Sequence, residues 1–160
     1  SLWPYFSIVV LKLTDFLLRA RTKTYAGAGG EVMPSLKGST QLEHKEKDWL
    51  YRDIYYTGRG LFMGLETVYF HNKPAWSMSY YGNFKKMTEA EVDGVLRKAL
   101  LTRWKTTRLW KKVDWNSDVY RYTCTPDFPG SIDEMAGVEK IYKNGKEVYS
   151  FFYGGGVIEK

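Results

Sequence analysis

Two carboxylates are the first candidates for chemistry. Glu66 and Glu139 each sit in an aromatic, strand-like run that occurs twice in the chain. Writing Gly64–Gly82 over Gly137–Gly155 without a gap aligns Glu66 with Glu139, Tyr69 with Tyr142, Ser77 with Ser150 and Tyr80 with Tyr153 as identities. Gly64, Lys73 and Gly82 match Gly137, Lys146 and Gly155, and Trp76 stands over Tyr149. Leu50-Tyr51-Arg52 also matches Val119-Tyr120-Arg121 if the second copy carries a longer loop. A carboxylate among small apolar and aromatic neighbours is costly to bury unless a cation or donor meets it. Each glutamate therefore pairs within the fold, with its Ser or with Arg52 and Arg121, or else serves a ligand. As a ligand group it would neutralise a cation or, with its counterpart, act as acid and base.

The elements that position these groups follow from turn chemistry. Asn144-Gly145 is a strong type I′ hairpin signal, and His71-Asn72 stands in its place in the first copy. Counting back from these turns puts Lys143 opposite Lys146, Glu139 opposite Ser150 and Glu66 opposite Ser77. Pro74 falls opposite Tyr69, where its missing N–H breaks no rung. That register puts Glu66, Val68, Ala75 and Ser77 on one face, matched by Glu139, Ile141, Val148 and Ser150. Leu65, Tyr69, Trp76, Met78 and Tyr80 take the other, matched by Val138, Tyr142, Tyr149, Phe151 and Tyr153. The candidate ligand-binding set is Glu66, Glu139, Tyr69, Trp76, Tyr80, Tyr142, Tyr149 and Tyr153.

Helical spacing of Ile8, Leu11, Phe16 and Leu18 predicts a first helix over 7–21. The run Gly27-Ala28-Gly29-Gly30 behind it reads as a C-terminal cap, because phosphate loops precede a helix instead of following one. Strands are expected near 41–45, 49–57, 61–70 and 75–82. Thr88-Glu89-Ala90-Glu91 is a capping box that opens a second helix toward Trp104. Strands resume near 119–125, 137–143 and 147–153. The fold class is α+β: one domain, 1–160, of two α-β-β-β units (about 7–83 and 88–156). They form a curved antiparallel sheet with helices on one face.

Composition narrows the function classes. Thirteen Tyr, eight Phe and six Trp make 17% of the chain aromatic, more amphipathic surface than a core needs. One Cys and two separated His imply no metal and no cofactor. No apolar run reaches the ~20 residues of a membrane span, so no membrane partner is expected and the location reads as cytoplasmic. The +6 net charge gathers in 85–112, which interleaves Trp104 and Trp110 with lysines and arginines. Because such stems commonly just cover rings on a solvated face, nucleic-acid contact is expected to be weak or absent.

The runs Thr24-Tyr-Ala-Gly-Ala-Gly-Gly-Glu31, Leu50-Tyr-Arg-Asp-Ile-Tyr-Tyr56 and Pro74-Ala-Trp-Ser-Met-Ser-Tyr-Tyr-Gly82 resemble a bacterial family of uncharacterised domains. Its members occur alone or fused to Cro/repressor-type helix-turn-helix regulators, and the resemblance spans roughly 13–155. It implies a regulatory context but no established activity, and no room for a helix-turn-helix is left before Thr14. Effector-binding domains of the gyrase-inhibitor-like type are similar in arrangement, with duplicated α+β units and an acid in an aromatic pocket.

The leading expectation is a small-molecule sensor module without catalysis, taking a cationic or flat aromatic ligand. A hydrolase using Glu66 and Glu139 and a nucleic-acid module through 85–112 stand as alternatives. A homodimer is left open.

Overall fold

The computed structural model describes residues 3–103 and 111–158, with side chains from residue 10 onward. Trp104, Lys105, Arg108 and Trp110 of the basic segment, and the side chain of Ile8, lie outside the described residues.

Helix α1 spans Trp3–Lys23. It ends where Thr24 donates both its N–H and its hydroxyl to the Ala20 carbonyl. The Gly29 N–H then returns to the Thr24 carbonyl, so the glycine run turns the chain off the helix. Helix α2, Glu89–Thr102, opens on the reciprocal Thr88–Glu91 capping box and buries Val92, Val95, Leu96, Ala99 and Leu100.

Nine strands complete the described chain: β1 (Glu31–Val32), β2 (Thr40–Glu46), β3 (Trp49–Gly58), β4 (Leu61–Phe70), β5 (Lys73–Asn83), β6 (Val113–Ser117), β7 (Tyr120–Pro126), β8 (Glu134–Lys143) and β9 (Lys146–Val157). They form a single antiparallel sheet in the order β1-β2-β3-β4-β5-β9-β8-β7-β6. The two long hairpins, β4–β5 and β8–β9, meet at its centre. Both helices pack into one core with one face of this sheet, through Leu13, Phe16, Leu17, Leu96 and Ala99 against Val68, Trp76, Tyr122 and Ile141. Antiparallel sheets can leave their second face open in this way. The sequence reading missed β1 and β6, both short: it named all of β2–β5 but only three of β6–β9, and the expected α-β-β-β unit is one strand short of the four that β2–β5 and β6–β9 each provide.

The hairpin turns lie where turn chemistry put them: His71, Asn72, Asn144 and Gly145 all have positive φ. The register beyond them does not. Tyr69 opposes Pro74, but Val68 opposes Trp76, leaving Ala75 as a bulge. In the second hairpin Tyr142 opposes Glu147 and Ile141 opposes Tyr149, leaving Val148 in the same position. The second bulge follows a glutamate with an intact N–H, so proline is not what makes it. One extra residue shifts every later pair by one and turns the side chains over. Glu66 therefore faces Met78 instead of Ser77, and Glu139 faces Phe151 instead of Ser150. The expected Glu–Ser pairs do not exist. Trp76, Met78 and Tyr80 share the core face with Glu66 and Val68, and Tyr149, Phe151 and Tyr153 share it with Glu139 and Ile141.

Candidate functional site: a cleft between the helices and the sheet

Beneath α1 and α2 the sheet face does not close completely. An open cleft with a cavity volume of about 110 Å³ lies over β3, β4 and β5. Its apolar walls include Leu18 of α1, Val92, Leu96 and Leu100 of α2, and Phe62 and Phe151 of the sheet. Phe62 and Phe151 stack 5.8 Å apart, and Tyr80 stacks on Phe151 at 5.4 Å, so one wall is a bank of ring faces.

The polar floor is built from adjacent strands. Asp53 on β3 is directly opposite Glu66 on β4. Glu66, 2% exposed, is gripped by Arg21 from the last turn of α1, Nε to Oε1 at 3.1 Å and Nη2 to Oε2 at 3.0 Å. The Tyr51 hydroxyl donates to the same Oε1 at 2.6 Å. A forked guanidinium and a phenol are what a buried carboxylate needs, since charge-assisted bonds offset desolvation. The Arg21 guanidinium in turn lies over the buried Trp76 ring, 5.7 Å from its centroid. Trp76 thus backs the site from within the core and does not line it.

Tyr80 reaches across β4 to donate to Asp53 Oδ1 at 2.5 Å. Gly64 permits this crossing: a Cβ there would sit 2.5 Å from the Tyr80 oxygen. Gly137 does the same for Tyr153, where the distance would be 2.4 Å. Burial, then the neighbouring Glu66 charge, raises the Tyr51 phenol well above its usual value. Tyr80 is raised well above its usual value by burial and by Asp53, and Tyr55 is raised by burial. All three stay protonated at neutral pH, and Tyr51 and Tyr80 act as donors.

The opposite rim carries a second polar set. Tyr25 donates to Asp93 Oδ1 at 2.7 Å, and Arg97 binds the Tyr25 carbonyl at 3.0 Å while its guanidinium lies over the Tyr25 ring. Of the ionisable lining groups, Asp53, Glu66, Glu89 and Asp93 are acidic and Arg21 and Arg97 basic. The cleft is net acidic in a chain that is net basic.

Of the residues expected to bind a ligand, only Glu66 and Tyr80 line this cleft. Tyr69 and Tyr142 lie on the opposite face of the sheet, because the bulges separate them from Trp76 and Tyr149. There Arg52 and Arg121 cover their rings at 5.6 Å. Those arginines pair with Glu43 and Asp114, not with Glu66 and Glu139. Glu139, fully buried, accepts from Tyr122, and Tyr153 meets Cys124 at 3.6 Å. The strand pairing makes Tyr122 the counterpart of Tyr51, and Cys124 that of Asp53. The sequence alignment, which set Tyr120 against Tyr51, was two residues off. The second half thus holds the same phenol–carboxylate contact, with Cys124 where the first half has an acid.

Sequence reasoning missed Arg21, Tyr51, Asp53, Tyr25, Asp93 and Arg97. Asp53 carried a legible signal, being an acid inside the strand-like run Leu50–Tyr56. Arg21 carried none, since it joins Glu66 across 45 residues.

An open antiparallel sheet with a helix-covered, net acidic cleft is the class of protein that fold and site define. Residues 53–158, about two thirds of the chain, match the family of domains of unknown function DUF5680. The chain belongs to that family. The match takes in Asp53, Glu66, Tyr80 and all of α2, but not α1 with Arg21. No curated protein and no solved structure matches the chain. Among the described residues, no helix is long and apolar enough to cross a membrane.

Proposed function

We propose that the cleft binds a small molecule pairing a flat aromatic body with a cationic group, and that the protein is a binding module of the sensor type and not a catalyst. The observation that carries this reading is a net acidic floor and rim beside a bank of ring faces, Phe62, Tyr80 and Phe151, in one open cleft. Aromatic faces and carboxylates attract a cation together, through the ring quadrupole and through charge. The carboxylates on its floor and rim also argue for recognition over proton transfer. Glu66, Asp53 and Asp93 are each engaged by a guanidinium or a phenol. Hydrolysis by Glu66 with Glu139 finds no support, because Glu139 is not on the cleft wall.

The reading carries its wider context with it. The chain is taken as one cytoplasmic domain built from two related halves, and a regulatory role fits the helix-turn-helix-fused proteins it resembles. Support for the relation of the halves comes from the matched bulges at Ala75 and Val148 and from the Tyr51–Glu66 and Tyr122–Glu139 contacts. It also comes from Tyr80 pairing directly with Tyr153, its own counterpart, across the central strands. A homodimer is compatible with a cleft whose mouth lies on the helical side.

A thermal-shift panel of arylamidinium, arylamide and arylcarboxylate compounds tests the reading. Wild type should be stabilised most by the cations. Asp53→Asn, which keeps size and a Tyr80 acceptor, should lose that preference while retaining neutral binding. Equal cation preference in the variant would leave Asp53 a structural group and overturn the reading.

A further inference from the structure

The face of the sheet away from the helices breaks the alternation that open antiparallel sheets obey. Outward positions on the central strands should be polar. Instead Tyr56, Met63, Tyr81 and Phe152 follow one another across β3, β4, β5 and β9 as direct register partners. They are 39–46% exposed, and Leu65 beside them is 48% exposed. The Tyr81 and Phe152 rings stack at 6.3 Å, so the row stands up as a continuous ridge. The adjacent row runs Ile54, Leu65, Ser79, Gly154 and Ala136, and its β5, β9 and β8 part is a trough of small residues. We infer that this face is a homodimer interface, with the ridge of one copy seated in the trough of a second.

Three observations select a second copy as the occupant. The first is shape. A ridge and a trough side by side on one surface are self-complementary under a two-fold rotation, which is what an isologous dimer requires. Large alternating with small side chains also lets two sheets interdigitate at the usual ~10 Å separation.

The second is charge. Neither row contains an ionised group, and of the charged side chains flanking them only Glu134, beside Ala136 on β8, has no ion pair among the described residues. Arg52 pairs with Glu43 at 3.5 Å and Lys140 with Glu147 at 3.2 Å. A lipid surface or a nucleic acid would call for a basic rim. An uncharged face with two internal ion pairs and an acidic Glu134 at its rim instead resembles the apolar core and polar rim of a protein interface.

The third is area. At roughly 200 Å² for a large side chain, five residues two-fifths to one-half exposed leave about 400–500 Å² of apolar surface. Ile54, Val138 and the trough bring the face toward the ~800 Å² per partner of a standard interface.

The inference does not depend on the proposed ligand, because the cleft lies on the other side of the sheet. Face-to-face pairing would leave both cleft mouths open to solvent.

Sedimentation equilibrium across the micromolar range tests it with wild type, Phe152→Glu and Met63→Glu. Wild type should sediment at twice the 18.6 kDa of the chain. Each variant should sediment as a monomer with an unchanged far-ultraviolet spectrum, since both positions are already solvent-exposed. Ser79→Cys supplies a readout independent of interface strength: its thiol, covered by the partner's ridge, should be shielded from maleimide in the dimer and react freely in the Phe152→Glu background, whereas an edge-to-edge dimer would leave it reactive in both. A monomeric wild type, a dimer surviving in a folded glutamate variant, or a dimeric Ser79→Cys whose thiol reacts freely would each overturn the inference.

Discussion

Arg21→Met isolates the contact that ties α1 to the floor of the cleft. Methionine keeps the length and apolar character of the arginine stem and removes the guanidinium. Glu66, nearly inaccessible to water, would then keep the Tyr51 hydroxyl but lose both bonds from Arg21. Breaking one side of a buried pair costs about 3–5 kcal/mol, because the remaining charge is left uncompensated. The surviving Tyr51 bond places the expected loss at the lower end. For a chain of this size that is a fall in Tm of about 6–12 °C, at about 2–4 °C per kcal/mol. The loss should depend on pH with a definite sign. Without its cation, Glu66 would have a folded pKa above its unfolded value. The penalty is then full at neutral pH and fades as pH falls through that raised value toward the unfolded one. Glu66→Gln, which still accepts from Tyr51, should cost less, and adding it to Arg21→Met should recover part of the loss. Chemical denaturation of the four proteins gives the coupling, expected to exceed about 1.5 kcal/mol for hydrogen bonds to a charged group. A pH-independent loss below about 1 kcal/mol for Arg21→Met would refute the reasoning.

Two further outcomes follow from local geometry. Gly64→Ala puts a Cβ 2.4 Å from the Ile54 carbonyl oxygen as well as against Tyr80, so it should destabilise by about 1–3 kcal/mol and perturb the Tyr80–Asp53 contact in ring-proton spectra. Gly94→Ala in α2 meets open space and should stabilise by about 0.5–1 kcal/mol, so equal effects in thermal melts would contradict the assignment. Glu91 has its pKa lowered to about 2 by Lys143, Tyr120 and the Thr88 backbone. A depressed folded pKa contributes stability above the unfolded value near 4.5 that is lost as pH falls toward 2. Glu91→Gln, which can preserve the capping box, should therefore melt lower than wild type at pH 7 and converge with it in acid.

What was legible in the sequence was what local chemistry encodes. Turn residues located both hairpins, the Thr88–Glu91 box located the start of α2, and the Gly64–Gly82 and Gly137–Gly155 match located the two carboxylates. The register was not legible. A bulge at Ala75 or Val148 leaves no compositional mark, yet it moved Trp76, Tyr80, Tyr149 and Tyr153 to the face of the glutamates. Of the expected set, Glu66 and Tyr80 thus line the cleft and the other six residues lie elsewhere. For Arg21, the α1 dipole is an adequate local explanation of a basic residue in the last turn. Its partner on β4 is a tertiary fact. The exposed row through Tyr56, Met63, Tyr81 and Phe152 was equally hidden, since which residues form a row depends on the pairing of four strands.

The central claim is that the cleft selects cations with an aromatic body, and calorimetric titration tests it most directly. An arylamidinium and its uncharged arylamide isostere share shape and ring area, so their difference reports charge recognition. Wild type should bind the amidinium at least tenfold more tightly, about 1.4 kcal/mol, with the preference reduced by added salt. Leu100→Arg, which places a positive charge on the wall formed by α2, should abolish it. Equal affinity for the two compounds, or a cation preference unchanged in folded Leu100→Arg, would contradict the account.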